Sequence, residues 1–217
     1  SAEEMKRVDE EYYRWLWLGE SIGVEDVIFH MFDPKKHIVD YNCKPLYNIG
    51  IGVDYGQKNA TTFNAFGIDR ENKRLQGILS YKHSGRTQKP KSPSEYAKDM
   101  VEFIKEVEKL TKDRVTFITI DPSAEGFAEE IKQALRRERM NIPIRKAQNS
   151  VAIGISRVQS LLSHQALVLD SSMVGAIEEF GLYSYDPKSI ERGEEKPIKD
   201  NDHDMDGIRY LVMEQWQ

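Results

Sequence analysis

Residues 46–56 read Leu46-Tyr47-Asn48-Ile49-Gly50-Ile51-Gly52-Val53-Asp54-Tyr55-Gly56. A largely apolar run that stops at an acid and a glycine predicts a buried strand whose last side chain projects past the final backbone pair. Two further runs, 61–68 and 75–81, follow at short intervals around a turn at 69–72, where Asp69 reads as a turn residue. Three strands joined by short turns make an antiparallel meander. Downstream the period changes to that of a helix, with Tyr96, Met100, Phe103, Ile104 and Val107 on one face of 94–110. Strands at 115–120, 142–144 and 166–169 then alternate with helices at 124–139, 151–163 and 173–180. A polar stretch, 184–200, leads to a last helix over 202–216. This order predicts an α/β layer fold with a mixed sheet. Upstream, 3–18 reads as a helix carrying Val8, Tyr12, Trp15 and Leu16 on one face, with Tyr13 and Trp17 adding aromatic surface suited to docking. Residues 27–32 and 37–39 read as short strands around the Asp33-Pro34 turn.

Composition narrows the class. A chain of 217 residues can bury its own core as one domain. A single cysteine, Cys43, excludes an internal disulfide framework and a multi-cysteine zinc module. No apolar run approaches the roughly 20 residues of a membrane span. With 31 Lys and Arg against 36 Asp and Glu, the formal charge is −5, which argues against coating nucleic acid by bulk positive charge. Charge is nevertheless segregated. Lys82, Arg86, Lys89 and Lys91 lie in 82–91 without an acid, and Lys132, Arg136, Arg137, Arg139, Arg145 and Lys146 share 132–146 with Glu138 alone. Residues 178–206 are by contrast rich in acids. Each run is either a solvated face or, for the basic ones, a candidate contact with a DNA backbone.

The chemistry sits where strands end. The run 49–53 enters Asp54, and Phe117-Ile118-Thr119-Ile120 enters Asp121 in the same manner. If the two strands are neighbours, the carboxylates stand a few ångströms apart and repel unless a divalent cation lies between them. Carboxylate-only donors suit Mg²⁺ or Mn²⁺. A third element is Asn201-Asp202-His203-Asp204-Met205-Asp206-Gly207-Ile208-Arg209-Tyr210. Met205, Ile208 and Val212 form its core stripe, while Asp202, His203 and Asp206 can share the opposite side. Asp202 and Asp204 read as ordinary helix-start acids that complement the dipole. Gly207 inside a helix costs about 0.5–1 kcal/mol relative to alanine, so close approach of another group beside Asp206 is expected there. The remaining histidines, His30, His37, His83 and His164, show no ligand spacing.

These acidic motifs, in this order, resemble the RNase H-like nucleases, and more closely the C-terminal nuclease domain of the terminase large subunit of tailed bacteriophages. The Gly19-Glu20 and 29–32 region also resembles the segment joining that family's ATPase domain to its nuclease. Gly207 departs from the family's usual alanine, and no Gly-x-x-x-x-Gly-Lys-Ser/Thr phosphate loop is present, which places the ATP motor outside this chain. The resemblance implies a mixed sheet flanked by helices on both faces, a linker or docking segment over 1–45 and a nuclease domain over 46–217. It implies an endonuclease that cuts concatemeric double-stranded viral DNA during packaging in the host cytoplasm, using two Mg²⁺ or Mn²⁺ ions. Asp54, Asp121 and Asp206 carry over as metal ligands, with Asp54 bridging; His203 is the further catalytic candidate, as ligand or as the group that orders water. The implied partners are DNA, the ATPase domain of the same full-length chain, the small terminase subunit and the portal protein, with no membrane. Two other classes compete. A sugar-kinase or actin-like ATPase also opens on a strand and Asp-x-Gly, but its second phosphate loop and adenosine-binding glycine pair are missing. A non-catalytic docking module would use the acids only as caps and bind no Mn²⁺.

Overall fold

Alternation in the quoted stretch sets the architecture. In β1 (Tyr47–Asp54), Ile49, Ile51 and Val53 fall on one face, and Gly50 and Gly52 fall on the other. The branched face packs under α2 (Pro93–Thr111) and α3 (Glu125–Arg137), burying Tyr96, Met100, Ile104, Phe127 and Ile131 with it. The glycine face lets other atoms come close. A Cβ on Gly50 would collide with the Phe117 ring, and one on Gly52 with the carbonyl of Gly207. The computed structural model describes residues 27–56, 59–85, 87–200 and 202–216. The helix expected over 3–18, the Gly19-Glu20 pair, Arg86 and Asn201 lie outside the described residues.

Six strands form one sheet among the described residues, in the order β5-β4-β1-β2-β3-β6. β1, β2 (Ala60–Asp69) and β3 (Arg74–Ser84) make the expected antiparallel meander. β4 (Val115–Ile120) lies parallel to β1, β5 (Ile144–Lys146) parallel to β4, and β6 (Leu167–Val168) parallel to β3. The sheet is therefore mixed, α/β and RNase H-like. Its second face is covered by α4 (Val151–Ser163), α5 (Val174–Leu182) and α7 (His203–Gln215), whose Val158, Leu162, Ile177, Phe180, Ile208 and Leu211 form a separate core. A short α6 (Pro187–Ile190) is all the helix in the polar stretch before α7.

Two expectations about elements need correction. Residues 27–32 and 37–39 are not strands: Asp33 and Pro34 start a helical turn, α1 (Pro34–His37), because the Asp33 carboxylate accepts from the Lys35 N–H and proline suits a first helical position. Only isolated bridges remain there, Val27 with Ser184 and Ile38 with Leu169. The strand expected at 142–144 is displaced to Ile144–Lys146, since Pro143 has no N–H for the ladder and serves only as acceptor from Ile118. Residues 27–39 contribute to a core. Ile28, Phe29 and Phe32 are buried, Phe32 stacks on Phe180 at 4.6 Å, and His37 Nε2 bonds the Leu162 carbonyl at 2.9 Å.

Candidate active site

Parallel pairing of β1 with β4 sets Val53 beside Ile120, so Asp54 and Asp121, the next residues, leave the sheet side by side. Beneath Asp121 a 3-10 turn (Pro122–Ala124) opens α3, and its carboxylate accepts from the Ser123 N–H at 2.7 Å. The same carboxylate takes Asn149 Nδ2 at 3.3 Å and the Tyr210 hydroxyl at 3.2 Å. α7 supplies the rest. It crosses β1 where Gly52 meets Gly207, a contact that explains the glycine in this helix interior as close backbone approach. That crossing brings His203 Nδ1 to 2.7 Å from Asp54 Oδ2. One turn on, Asp206 accepts from Arg209 Nη2 at 2.6 Å. Asp54, Asp202, His203 and Asp206 all line one open cleft of about 390 Å³, with Asn59, Lys82 and Lys199 on its walls. Asp121 opens on a second groove, lined by Lys132, Arg145 and Lys146.

Electrostatics follow from this crowding. Burial pushes the Asp54 carboxyl above its ordinary range, and the charges of Asp206 and Asp121 add to the rise against the opposing His203 hydrogen bond. The Asp54 hydrogen bond in turn raises His203, overcoming its burial. Burial also works upward on Asp121, but its donors Ser123, Asn149 and Tyr210 together hold it below the usual carboxylate value. The Tyr210 phenol is raised by burial and then by the negative charges of Asp206, Asp54 and Asp121.

The three predicted acids and His203 are thus brought to one end of the sheet. Among the described residues, however, no three acidic, histidine or cysteine side chains already stand close enough to share one ion. Each carboxylate is instead engaged by a protein donor. The donor set still fits a hard divalent cation: oxygen ligands, with a like-charge excess at Asp54 that a cation would relieve.

Several residues that sequence reasoning passed over hold this site. Arg209 and Tyr210 stood in the quoted motif without a role, although Asp206 and Arg209 are three apart on a helix, a spacing that permits pairing. Asp204 reads in the sequence as an ordinary helix-start acid. It is fully buried instead, accepting from Asn64 Nδ2 at 2.9 Å and from Lys82 Nζ at 3.3 Å. Asp202 sits at the N-cap but makes no side-chain cap bond. Glu179, from α5, does that work: its Oε2 accepts from the N–H of Asp204 at 2.7 Å and of Met205 at 3.1 Å. No local signal marks a cap supplied from 25 residues away.

The basic runs are partly paired. Lys82 bonds Glu179 and Asp204, Lys91 meets Asp99, Lys132 meets Glu129, Arg145 meets Glu214 and Lys146 meets Glu125. Among the other histidines, buried His83 pairs with the Tyr96 hydroxyl.

No family model matches the sequence, and none of the curated proteins searched does. Solved structures do. The large terminase of a thermophilic bacteriophage is similar over 97% of this chain and 52% of its own length, at 30% identity and a TM-score of 0.76. This chain therefore spans about half of that protein, which has also been solved with ADP and with ATP-γ-S. The nuclease domain of the bacteriophage P22 large terminase aligns over 87% of this chain and 91% of its own, with a TM-score of 0.67 at 16% identity. The nuclease domain of the bacteriophage SPP1 large terminase, solved with bound Mn, aligns over 81% and 90%, with a TM-score of 0.55 at 22% identity. At those identities the last two attest the fold alone.

Proposed function

We propose, on the premise that this chain belongs with the nuclease domains of phage large terminases, that it is a divalent-metal-dependent endonuclease acting in genome packaging. Its substrate would be concatemeric double-stranded viral DNA, cut in the host cytoplasm. The observation that supports this most is the pairing of β1 with β4, which sets Asp54 beside Asp121, with α7 bringing His203 onto Asp54 and Asp206 into the same cleft. Their mutual repulsion weighs against gathering three acids there unless a cation offsets it.

In this reading Asp54, Asp121 and Asp206 would hold two divalent ions, Mg²⁺ or Mn²⁺. Two such ions, when bound, activate a water and stabilise the leaving 3′ oxygen in an in-line displacement. The chain's own groups do the positioning. Tyr210, Asn149 and Ser123 fix the Asp121 carboxylate, and Arg209 fixes Asp206. His203 is oriented by its Nδ1 bond to Asp54, which leaves Nε2 to order the attacking water or accept its proton. Arg209 must share or release Asp206 as the site loads.

A packaging role also assigns partners: the ATPase domain of the same full-length chain, the small terminase subunit and the portal. The terminase solved with ADP and ATP-γ-S is about twice as long as this chain, in keeping with a motor that lies in the other half. Among the described residues no helix is long and apolar enough to cross a membrane.

Digestion of supercoiled plasmid in Mn²⁺, Mg²⁺, Ca²⁺ or EDTA tests the proposal. Nicking and linearisation are expected with Mn²⁺ and not with EDTA, and Asp54→Asn, Asp121→Asn and Asp206→Asn are each expected to fall to background. Full activity in any one variant removes that residue from the site. ATP turnover without cleavage would favour the kinase-like reading instead.

A further inference from the structure

The first turn of α7 carries both His203 and Asp206, yet it lacks a cap of its own. It is clamped from three other elements. From β2, Thr62 Oγ1 donates to the His203 carbonyl at 2.9 Å and Asn64 donates to Asp204. From β3, Lys82 Nζ donates to Glu179 Oε1 at 2.6 Å and to Asp204 Oδ2 at 3.3 Å. From α5, Glu179 receives that ammonium on one oxygen and two α7 N–H groups on the other. Glu179 is 2% exposed and Asp204 fully buried. α5 is shaped for this: a Cβ on Gly175, one turn before Glu179, would stand 3.2 Å from Asp204 Oδ2 and 3.3 Å from Lys82 Cδ.

Burying two carboxylates on one ammonium is an expensive way to start a helix, since well-packed apolar groups stabilise as much or more. What such a network does supply is a fixed orientation, held by charge-assisted hydrogen bonds at a helix N-terminus. We propose that Glu179, braced by Lys82, is a positioning residue of the cleavage site: it fixes the start of α7 and thereby the placement of His203 and Asp206 opposite Asp54 and Asp121. Its hydrogen bonds go to Lys82 and to the start of α7, and none goes to Asp54, Asp121 or Asp206. The inference rests on the nuclease reading above and deepens it, because that reading names the ligands and this one names what aims them.

The test uses the 217-residue chain with manganese chloride as the probe. Glu179→Ala is expected to weaken Mn²⁺ binding, read by calorimetry, about tenfold or more and to lower kcat for plasmid nicking by a similar factor, with KM for plasmid unchanged. Glu179→Gln, whose amide oxygen still accepts from the helix start, is expected to recover most of the loss. Without metal, amide exchange at Asp204 and Met205 should quicken in Glu179→Ala while Leu211 and Val212 keep their protection. A folded Glu179→Ala with wild-type Mn²⁺ affinity, kcat and exchange overturns the proposal. If Glu179→Ala does not fold, Glu179→Asp, with its carboxylate drawn back by one methylene, replaces it under the same two outcomes. Should the wild-type chain neither bind Mn²⁺ nor nick DNA, the nuclease reading fails, and the exchange measurement alone still decides whether Glu179 fixes the helix start.

Discussion

At the scale of single residues, two aspartates at strand ends behave in opposite ways. Asp54 is raised by burial and by its acidic neighbours, so its ionised form costs stability once pH exceeds the unfolded carboxylate value. Asp54→Asn, whose amide oxygen can still accept from His203, is therefore expected to melt at or above the wild-type temperature at pH 7–8 while losing cleavage. A lowered melting temperature would mean that the carboxylate is structural. Asp69, in the turn that joins β2 to β3, runs the other way: burial works upward, but bonds from Asn72 and the nearby Arg74 hold its pKa below 3.8. Its contribution is present above the ordinary carboxylate value and lost as pH falls through the lowered one. Asp69→Asn should cost about 1 kcal/mol at pH 7, and the gap to wild type should close as pH is taken down toward about 2. A gap that stays constant with pH in urea titrations would show that the charge plays no part. Both residues were legible from their places in the sequence. Asp204 was not, because an acid in the first turn of a helix reads the same whether it meets water or a buried lysine.

At the scale of elements, the contact between β1 and α7 places the site, and a pair of glycines permits it. Gly52 has no room, since a Cβ there collides with the Gly207 carbonyl. Gly207 has a little, with a Cβ reaching 3.3 Å from the Gly52 oxygen. Gly52→Ala is accordingly expected to destabilise the chain by about 3 kcal/mol or more, through overpacking against backbone that cannot yield. Gly207→Ala should stay within about 1 kcal/mol of wild type, the helix preference for alanine offsetting the tight contact. Urea denaturation of both variants checks the pair, and equal losses would contradict the crossing geometry. The Ile-Gly-Ile-Gly-Val alternation announced this strand, and the helical period announced α2, α4 and α7. Two prolines account for the departures: Pro34 made the expected turn a helical start, and Pro143 pushed β5 two residues on. The cap from Glu179 lay beyond any local pattern because it joins two elements that only the folded sheet brings together.

At the scale of the molecule, two cores on opposite faces hold the sheet, and residues 27–39 belong to one of them. Ile28, Phe29 and Phe32 fill a space between α4, α5 and β6, so we expect a chain beginning at residue 46 to be less stable than one beginning at 27 by about 5 kcal/mol or more. Equal stability of the two in denaturant would show that the segment merely rests on the surface. The meander, the alternating strands and helices and the three acidic motifs were all visible in the sequence, because each is a local pattern. The order in which strands pair, and the protein donors now occupying every acid, were not. Those donors make the loading of the site the central question. The most direct measurement is anomalous scattering from crystals soaked in manganese: peaks are predicted within ligand distance of Asp54, Asp121 and Asp206, with the Arg209 bond to Asp206 loosened. Manganese absent from that end of the sheet, with the three carboxylates still on their protein donors, would contradict the account.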